Sequence, residues 1–377
     1  MIIERPALER RLLASLDAGR IPVVLGGCGS GRTSLLMRIE RLVGQERAQY
    51  LDFAATATTP ERCVAAVRLA SRVRPAPSGP IAPPPNARAA FDSLMGFLDG
   101  AVGVGGGPVT FLIDEVLDIR TFESFPGLRH VQREIVARLA ASPSRFVLAS
   151  RFTARAHRLL RDAPARFEVV HLPPLEGPEV ISLAFLVDGG RRDWAEQIAP
   201  HVAALSSGRA AYVHLQLDAL STMGPAIDPV AALAALLAPD GRLTARCRES
   251  YEFRLHRARG YGALKAILGI LADDEPLNLT EVSHHLHRTP GSTKDYLSWL
   301  EDVDLITSQG KRYSFEDPML RLYVRLYGRP TPPTDNDIVR EVQAFAAMRL
   351  PRPADRGVEP AMVTADRPVD TGIIEID

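Results

Sequence analysis

The run "GGCGSGRT" from Gly26 to Thr33 holds what a phosphate chain needs from a protein backbone. Gly26, Gly27, Gly29 and Gly31 let the chain curl until successive N–H groups face one anion, with Cys28 and Ser30 adding theirs. A helix opening at about Arg32 brings its positive end to the same point. Thr33 stands where a hydroxyl can ligate Mg²⁺, and Ser34 follows it. The run fits G-x-x-x-x-G-K-[ST] except that Arg32 replaces lysine. Arginine keeps the charge and can grip phosphate oxygens as a fork. Its planar head is larger than the compact ammonium that follows a γ-phosphate into the transition state. Binding is therefore expected to survive the exchange, and hydrolysis to be slow.

The matching acids lie in "FLIDEV", where an apolar run ends in Asp114 and Glu115. A strand end of this kind places Asp114 to hold Mg²⁺ and Glu115 to orient and deprotonate a water. Alone, the pair also reads as a plain strand-to-helix turn; with the glycine run upstream it points to a nucleotide. Ser150 closes the run "RFVLAS" and reads either as a γ-phosphate sensor or as the cap of the next helix. Arg161 and Arg166 in "RDAPARF" stand where an arginine could reach a neighbouring subunit's nucleotide, although an arginine-rich chain has many that are only surface charge.

These residues need a scaffold, and the sequence supplies one. "IPVVL", "AQYLDFA" (48–54), "VTFLIDEV", "SRFVLASR" (144–151) and "RFEVVHLPPL" (166–175) are short apolar runs alternating with helical patterns. That is the signature of a parallel sheet covered on both faces, an α/β fold of P-loop type. The proline-rich 74–88 interrupts it as an insertion within a domain spanning 1–176. Residues 177–245 are alanine- and leucine-rich and read as a helical lid. In 246–327, three helical segments precede "TSQGKRYSF", a tight hairpin around Gly310, which together predict a winged helix. Residues 328–377 are proline-rich and read as a largely flexible tail with a possible helix at 335–349.

Composition excludes several classes. Forty-five basic residues balance 45 acidic ones among 377, so no overall field attracts nucleic acid. Three dispersed cysteines fit a reducing compartment better than a disulfide framework. With no apolar run long enough for a membrane span and no signal-like start, a cytoplasmic protein is expected. Within 245–329, 13 Lys/Arg meet 12 Asp/Glu, and the third helix sets Lys294 against Asp295, Glu301, Asp302 and Asp304. DNA contact through 289–294 and the wing at 309–312 stays open, but this balance argues against strong binding. His284, His285 and His287 lack the partners of a metal site and read as surface residues. Cys28 reads as small filler or, among amides and a helix end, as an oxidisable thiol.

"ERPALERRLLASL", "GGCGSGRTSLL", "FLIDEV", "SSGRAAYVHL" and "YSFEDPMLRLYVRLY" together resemble the archaeal-type ATPases of the STAND branch of AAA+ proteins, over roughly 1–327. The resemblance implies ATP and Mg²⁺ as ligands, with nucleotide state controlling oligomerisation or a protein partner. It also implies an adenine pocket lined around Ile3 and Arg5. Two positions depart from the pattern: Arg32, and the missing proline after Gly208, which puts nucleotide contact from Gly208 or Arg209 in doubt. The reading is thus a regulatory ATPase; the alternatives are a DNA-associated AAA+ factor and a nucleotide-bound scaffold without turnover.

Overall fold

The computed structural model describes residues 4–73, 84–104, 106–224, 228–256 and 260–350. Ile3, most of the insertion and residues 351–377 lie outside them. The five apolar runs become β1 (Ile21–Leu25), β2 (Ala48–Asp52), β3 (Thr110–Asp114), β4 (Arg145–Ser150) and β5 (Phe167–His171). They form one parallel sheet in the order β2-β3-β4-β1-β5. Every residue of β1 and β3 is buried, which is why these runs are apolar throughout rather than alternating. β4 separates the two functional strands, with Val23 beside Leu148 and Ile113 beside the same residue. The glycine run and the Asp114–Glu115 pair therefore open on one edge of the sheet, at its carboxyl ends.

One face of the sheet is covered by α1 (Pro6–Asp17) and α2 (Arg32–Val43), which bury Leu12, Leu16, Leu36 and Ile39 against Val24 and Leu112. The other cluster gathers α3 (Phe53–Thr56), α4 (Pro60–Leu69), α5 (Ala87–Gly100), a 3₁₀ stretch (Val116–Ser124) and α6 (Val131–Ala141) around stacked Phe111 and Phe146. Asn86 caps α5 through Ala89 N–H, so the end of the proline-rich stretch is already helix. α7 (Thr153–Leu160) follows β4.

The segment expected to be a lid consists of α8 (Gly177–Val187), α9 (Arg192–Ser206), α10 (Ala210–Met223) and α11 (Pro229–Leu236), with a core of its own around Val180, Leu183, Val202 and Leu217. The expected boundary at 245/246 is corrected by α12, a single helix over Arg242–Leu255. Leu243, Cys247, Tyr251 and Leu255 make one buried stripe along it, and helical periodicity gives no reason to break there. Beyond it come α13 (Tyr261–Asp273), α14 (Leu279–Leu286) and α15 (Pro290–Asp302). β6 (Leu277–Asn278), β7 (Ile306–Gln309) and β8 (Arg312–Phe315) form an antiparallel sheet in the order β6-β8-β7; the two-residue β6 was too short to be seen in the sequence. Gly310 at φ +58° and Lys311 at φ +64° make the left-handed hairpin turn that suits the twist of β7 and β8.

α16 (Pro318–Tyr327) and α17 (Asp335–Ala347) complete the described chain. The helix expected at 335–349 is α17, and it is packed rather than loose: Ile338, Val342, Phe345 and Ala346 are buried against the core, and Thr334 and Asp337 form a capping box at its start. No helix among the described residues is long and apolar enough to cross a membrane.

Candidate functional site: the glycine run and its carboxylates

The loop between β1 and α2 can be made only of small residues. Gly29 and Gly31 sit at φ +78° and +99°, and a Cβ on Gly29 would lie 2.9 Å from that of Ala211 in the lid. The loop, α10 and α12 enclose a cleft of about 460 Å³, within the range of small-molecule sites. Arg32 Nε is buried there with no partner, an unmet donor in a cradle of backbone amides. The donor set thus fits an anion of phosphate type.

Arg32 opens α2 and turns back across the loop. Its Nη1 donates to the Gly27 carbonyl at 2.7 Å and its Nη2 to Glu115 Oε1 at 2.6 Å. Thr33 Oγ1 donates to Asp114 Oδ2 at 2.6 Å, and Tyr50 from β2 donates to the same oxygen at 3.1 Å. Burial pushes the Asp114 carboxyl up; the Thr33 hydrogen bond and the Arg32 charge pull against it. A hydroxyl and a carboxylate oxygen this close to the loop are a donor set suited to a hard divalent cation. Glu115 stands at φ +52°, a left-handed backbone that costs a non-glycine residue about 1 kcal/mol or more.

Glu115 is held from the other side by Arg151. The Arg151 N–H donates to Glu115 Oε2 at 3.0 Å, the guanidinium lies 3.0 Å from the same oxygen, and Nη2 donates to Asp118 at 2.9 Å. The Glu115 carboxylate is thus clamped between two arginines, all three groups being largely buried.

No family model matches the chain, and no curated protein matches it by sequence. The Walker-type ATPase PABY2304 of Pyrococcus abyssi superposes with a TM-score of 0.64 at 16% identity, over 86% of this chain and 96% of that one. The fold is that of a P-loop ATPase. Looser likenesses are the Aeropyrum pernix ORC1 protein, solved in complex with DNA, and a STAND protein with a tetratricopeptide-repeat sensor from Pyrococcus horikoshii. The first has a TM-score of 0.45 at 16% identity, covering 92% of this chain and 94% of that one. The second has 0.37 at 15%, covering 92% and 45%. At those scores neither says more than the first.

Within this P-loop fold, the expected residues fall in four places. Cys28 to Ser34 and Glu115 line the cleft; Gly26 and Gly27 begin the same loop, and Asp114 is joined to it through Thr33. Ser150 is fully buried, and its Oγ accepts from Phe152 N–H at 3.1 Å, at the start of α7. Arg5 lines the cleft but bridges to the lid: it donates to Glu179 at 2.8 Å and to the Pro173 and Pro174 carbonyls. Arg166 is elsewhere. Its guanidinium donates to the carbonyls of Gly19, Ala140 and Ser142, tying the end of α6 to the end of α1. Its guanidinium is thus held by carbonyls of its own chain, the kind that uncapped helix ends leave unmet.

Three contributors were not singled out from sequence as site residues: Tyr50, Arg151 and α12. Arg151 directly follows Ser150, and its position after a buried strand was the signal available. Arg209, left in doubt, donates to the Cys28 carbonyl at 2.9 Å and reaches Asp317 at 3.5 Å. Asp317, of the run "YSFEDP", also accepts from Tyr212 at 2.7 Å. The glycine loop, α10 and α16 are thus joined through one largely buried arginine side chain.

Proposed function

We propose that the chain is an ATP-binding regulatory switch of STAND type, in which nucleotide state decides whether the C-terminal elements stay packed on the core. The observation that carries this is the clamp on Glu115: the loop is formed and lined with donors, while the base is paired with Arg32 at 2.6 Å and Arg151 at 3.0 Å. Paired carboxylates make poor bases, so turnover requires both arginines to be drawn off, and phosphate oxygens are the ligands able to do that. Mg²⁺ held by Thr33 and Asp114 would neutralise phosphate charge; Arg32 would then grip β- and γ-oxygens and Glu115 would accept the proton of a water. Slow or partner-stimulated hydrolysis follows from this arrangement, and oligomerisation or a protein partner is its output.

The test is nucleotide affinity and turnover with Mg²⁺ for wild type, Arg32→Ala, Arg32→Lys and Glu115→Gln. Glu115→Gln is expected to keep ATP affinity and lose about a hundredfold or more in rate, the contribution of a general base. Arg32→Ala is expected to lose both. Tight binding with no turnover by wild type, and turnover restored by Arg32→Lys, would instead support the scaffold reading.

We read α13–α15 and β6–β8 as a winged helix turned toward protein rather than DNA. The wing's Arg312 donates to the Pro276 carbonyl at 2.6 Å and pairs with Glu281, and Arg288 lies over Tyr296. A DNA mobility shift that weakens steeply with salt would overturn that.

A further inference from the structure

A second cleft, of about 690 Å³, runs between α6 and α7, with the 3₁₀ stretch contributing to its wall and Asp302 at the end of α15 closing it. It shares no lining residue with the cleft at the glycine loop. Arg120, Arg133, Arg155 and Arg158 line it, together with the acids Glu123, Asp162 and Asp302.

Two of these arginines are already matched. Arg120 pairs with Glu123 at 3.6 Å, and Arg158 with Asp302 at 2.5 Å. Arg155 is placed differently. It is partly buried, its guanidinium lies 4.9 Å from the Phe152 ring centroid, and no acceptor among the described residues takes its donors. Burial and the Arg120 charge hold it below its ordinary value; Asp302 and Asp304 pull the other way from a distance, and Arg158 adds to the depression. A guanidinium in this position offers a planar fork of donors to whatever enters the cleft, and a carboxylate matches that fork.

The remaining lining narrows the choice of anion. Val136, Ala137, Leu159, Ala163 and Pro164 give the cleft an apolar wall beside the charges. A nucleic-acid backbone carries a charge at every step and would meet Glu123, Asp162 and Asp302. A peptide can set a carboxylate on Arg155 and apolar side chains on Leu159 and Val136. We propose that the groove between α6 and α7 docks an acidic and apolar segment of a protein partner, with one carboxylate of that segment held by the Arg155 guanidinium. Arg133, exposed on α6, meets a second carboxylate. The site goes beyond the nucleotide-switch reading and stands without it. It is nevertheless near the switch: the Phe152 ring also carries the Arg151 guanidinium, at 5.5 Å, so a seated partner lies one aromatic ring away from the arginine that clamps Glu115.

The experiment is fluorescence anisotropy of the full chain with a short labelled peptide of glutamate and leucine, beside the same peptide with glutamine in place of glutamate. Wild type should bind the acidic peptide about tenfold or more tightly than the other, with affinity falling as salt rises. Arg155→Ala should lose about tenfold or more, the worth of one charge-assisted pair, and Arg155→Lys should keep part of it. Arg133→Ala removes an exposed side chain, so it should weaken binding with an unchanged melting curve, which keeps the test intact if Arg155→Ala fails to fold. ATP should leave the peptide bound. Equal binding of the two peptides, or an Arg155→Ala chain that binds as wild type does, overturns the proposal. Three other results overturn it as well. Release by ATP puts the peptide in the glycine-loop cleft. Release by duplex DNA more readily than by unlabelled peptide makes the groove a nucleic-acid site. A dimeric chain that the peptide dissociates makes the occupant a second copy.

Discussion

At the scale of single residues, the site is set by where arginines rest. Cys28 reports this directly. Burial raises its thiol, but Arg254, a hydrogen bond from Ser250, Arg246 and Arg151 more than reverse that. Cys63 has no such neighbours and is pushed up to about 11; Cys247, beside Asp317, is raised as well. Iodoacetamide at neutral pH should therefore alkylate Cys28 faster than the other two by about tenfold or more, since the thiolate is the reactive form. ATP should protect it. Peptide mapping after a timed quench reads this out, and equal labelling of Cys63 would contradict it. The glycines, Thr33 and the acids were legible because their chemistry depends on neighbours in sequence: a loop is eight consecutive residues. Tyr50 was not, because it meets Asp114 across 64 residues and nothing local distinguishes it from any strand tyrosine. Arg151 was within one residue of a position under consideration and was passed over for the serine beside it.

Elements carry the coupling. Asp317 precedes α16 and caps it, accepting Met319 N–H at 3.0 Å while also receiving Tyr212 from α10. Both residues are buried, so a lost partner leaves an acceptor with no water to replace it. Tyr212→Phe is expected to destabilise the chain by about 1–3 kcal/mol, the usual penalty for a buried group left unsatisfied. Urea unfolding measures it. The same variant should make the junction between α10 and α16 easier for a protease to open, and an unchanged digestion pattern would argue that the contact is incidental. At this scale the sequence was a good guide to helices and strands. Proline in the first turn, a start signal carried by the sequence, opens α4, α8, α11, α15 and α16. It gave no sign that one helix crosses 245/246. Composition shifted near 245, but the backbone did not bend there, since one helix can serve two neighbours with two faces.

For the whole molecule, the docking of the C-terminal elements on the core turns on Asp304. It accepts from Thr153 N–H at 2.6 Å and Ala154 N–H at 3.2 Å, capping α7 from a distant part of the chain, and Arg158 of α7 pairs with Asp302 beside it. Burial pushes the Asp304 carboxyl up to about 6, against the pull of those two N–H donors and of Arg254. A carboxyl raised in the folded chain binds its proton there more readily than in the unfolded one. The group therefore contributes stability that is complete below about pH 4, where both states hold the proton, and that is lost as pH rises through 6. The difference in melting temperature between wild type and Asp304→Asn should accordingly move in favour of wild type between pH 7 and pH 4. A difference that stays flat across that range would mean the carboxyl titrates normally.

The continuity of α12 has a consequence for inheritance. Its 14 residues make a shaft of about 21 Å, and each added residue turns everything beyond it by about 100°. A single insertion near Cys247 would swing Ser250 and Phe253 off the loop and carry the C-terminal elements round with them. Deletions would do the same in the opposite sense. Length changes in this chain can collect in its loops, but this segment can diverge only by substitution. Among distant descendants of this sequence, the count of residues between Arg246 and Phe253 should outlast the residues themselves.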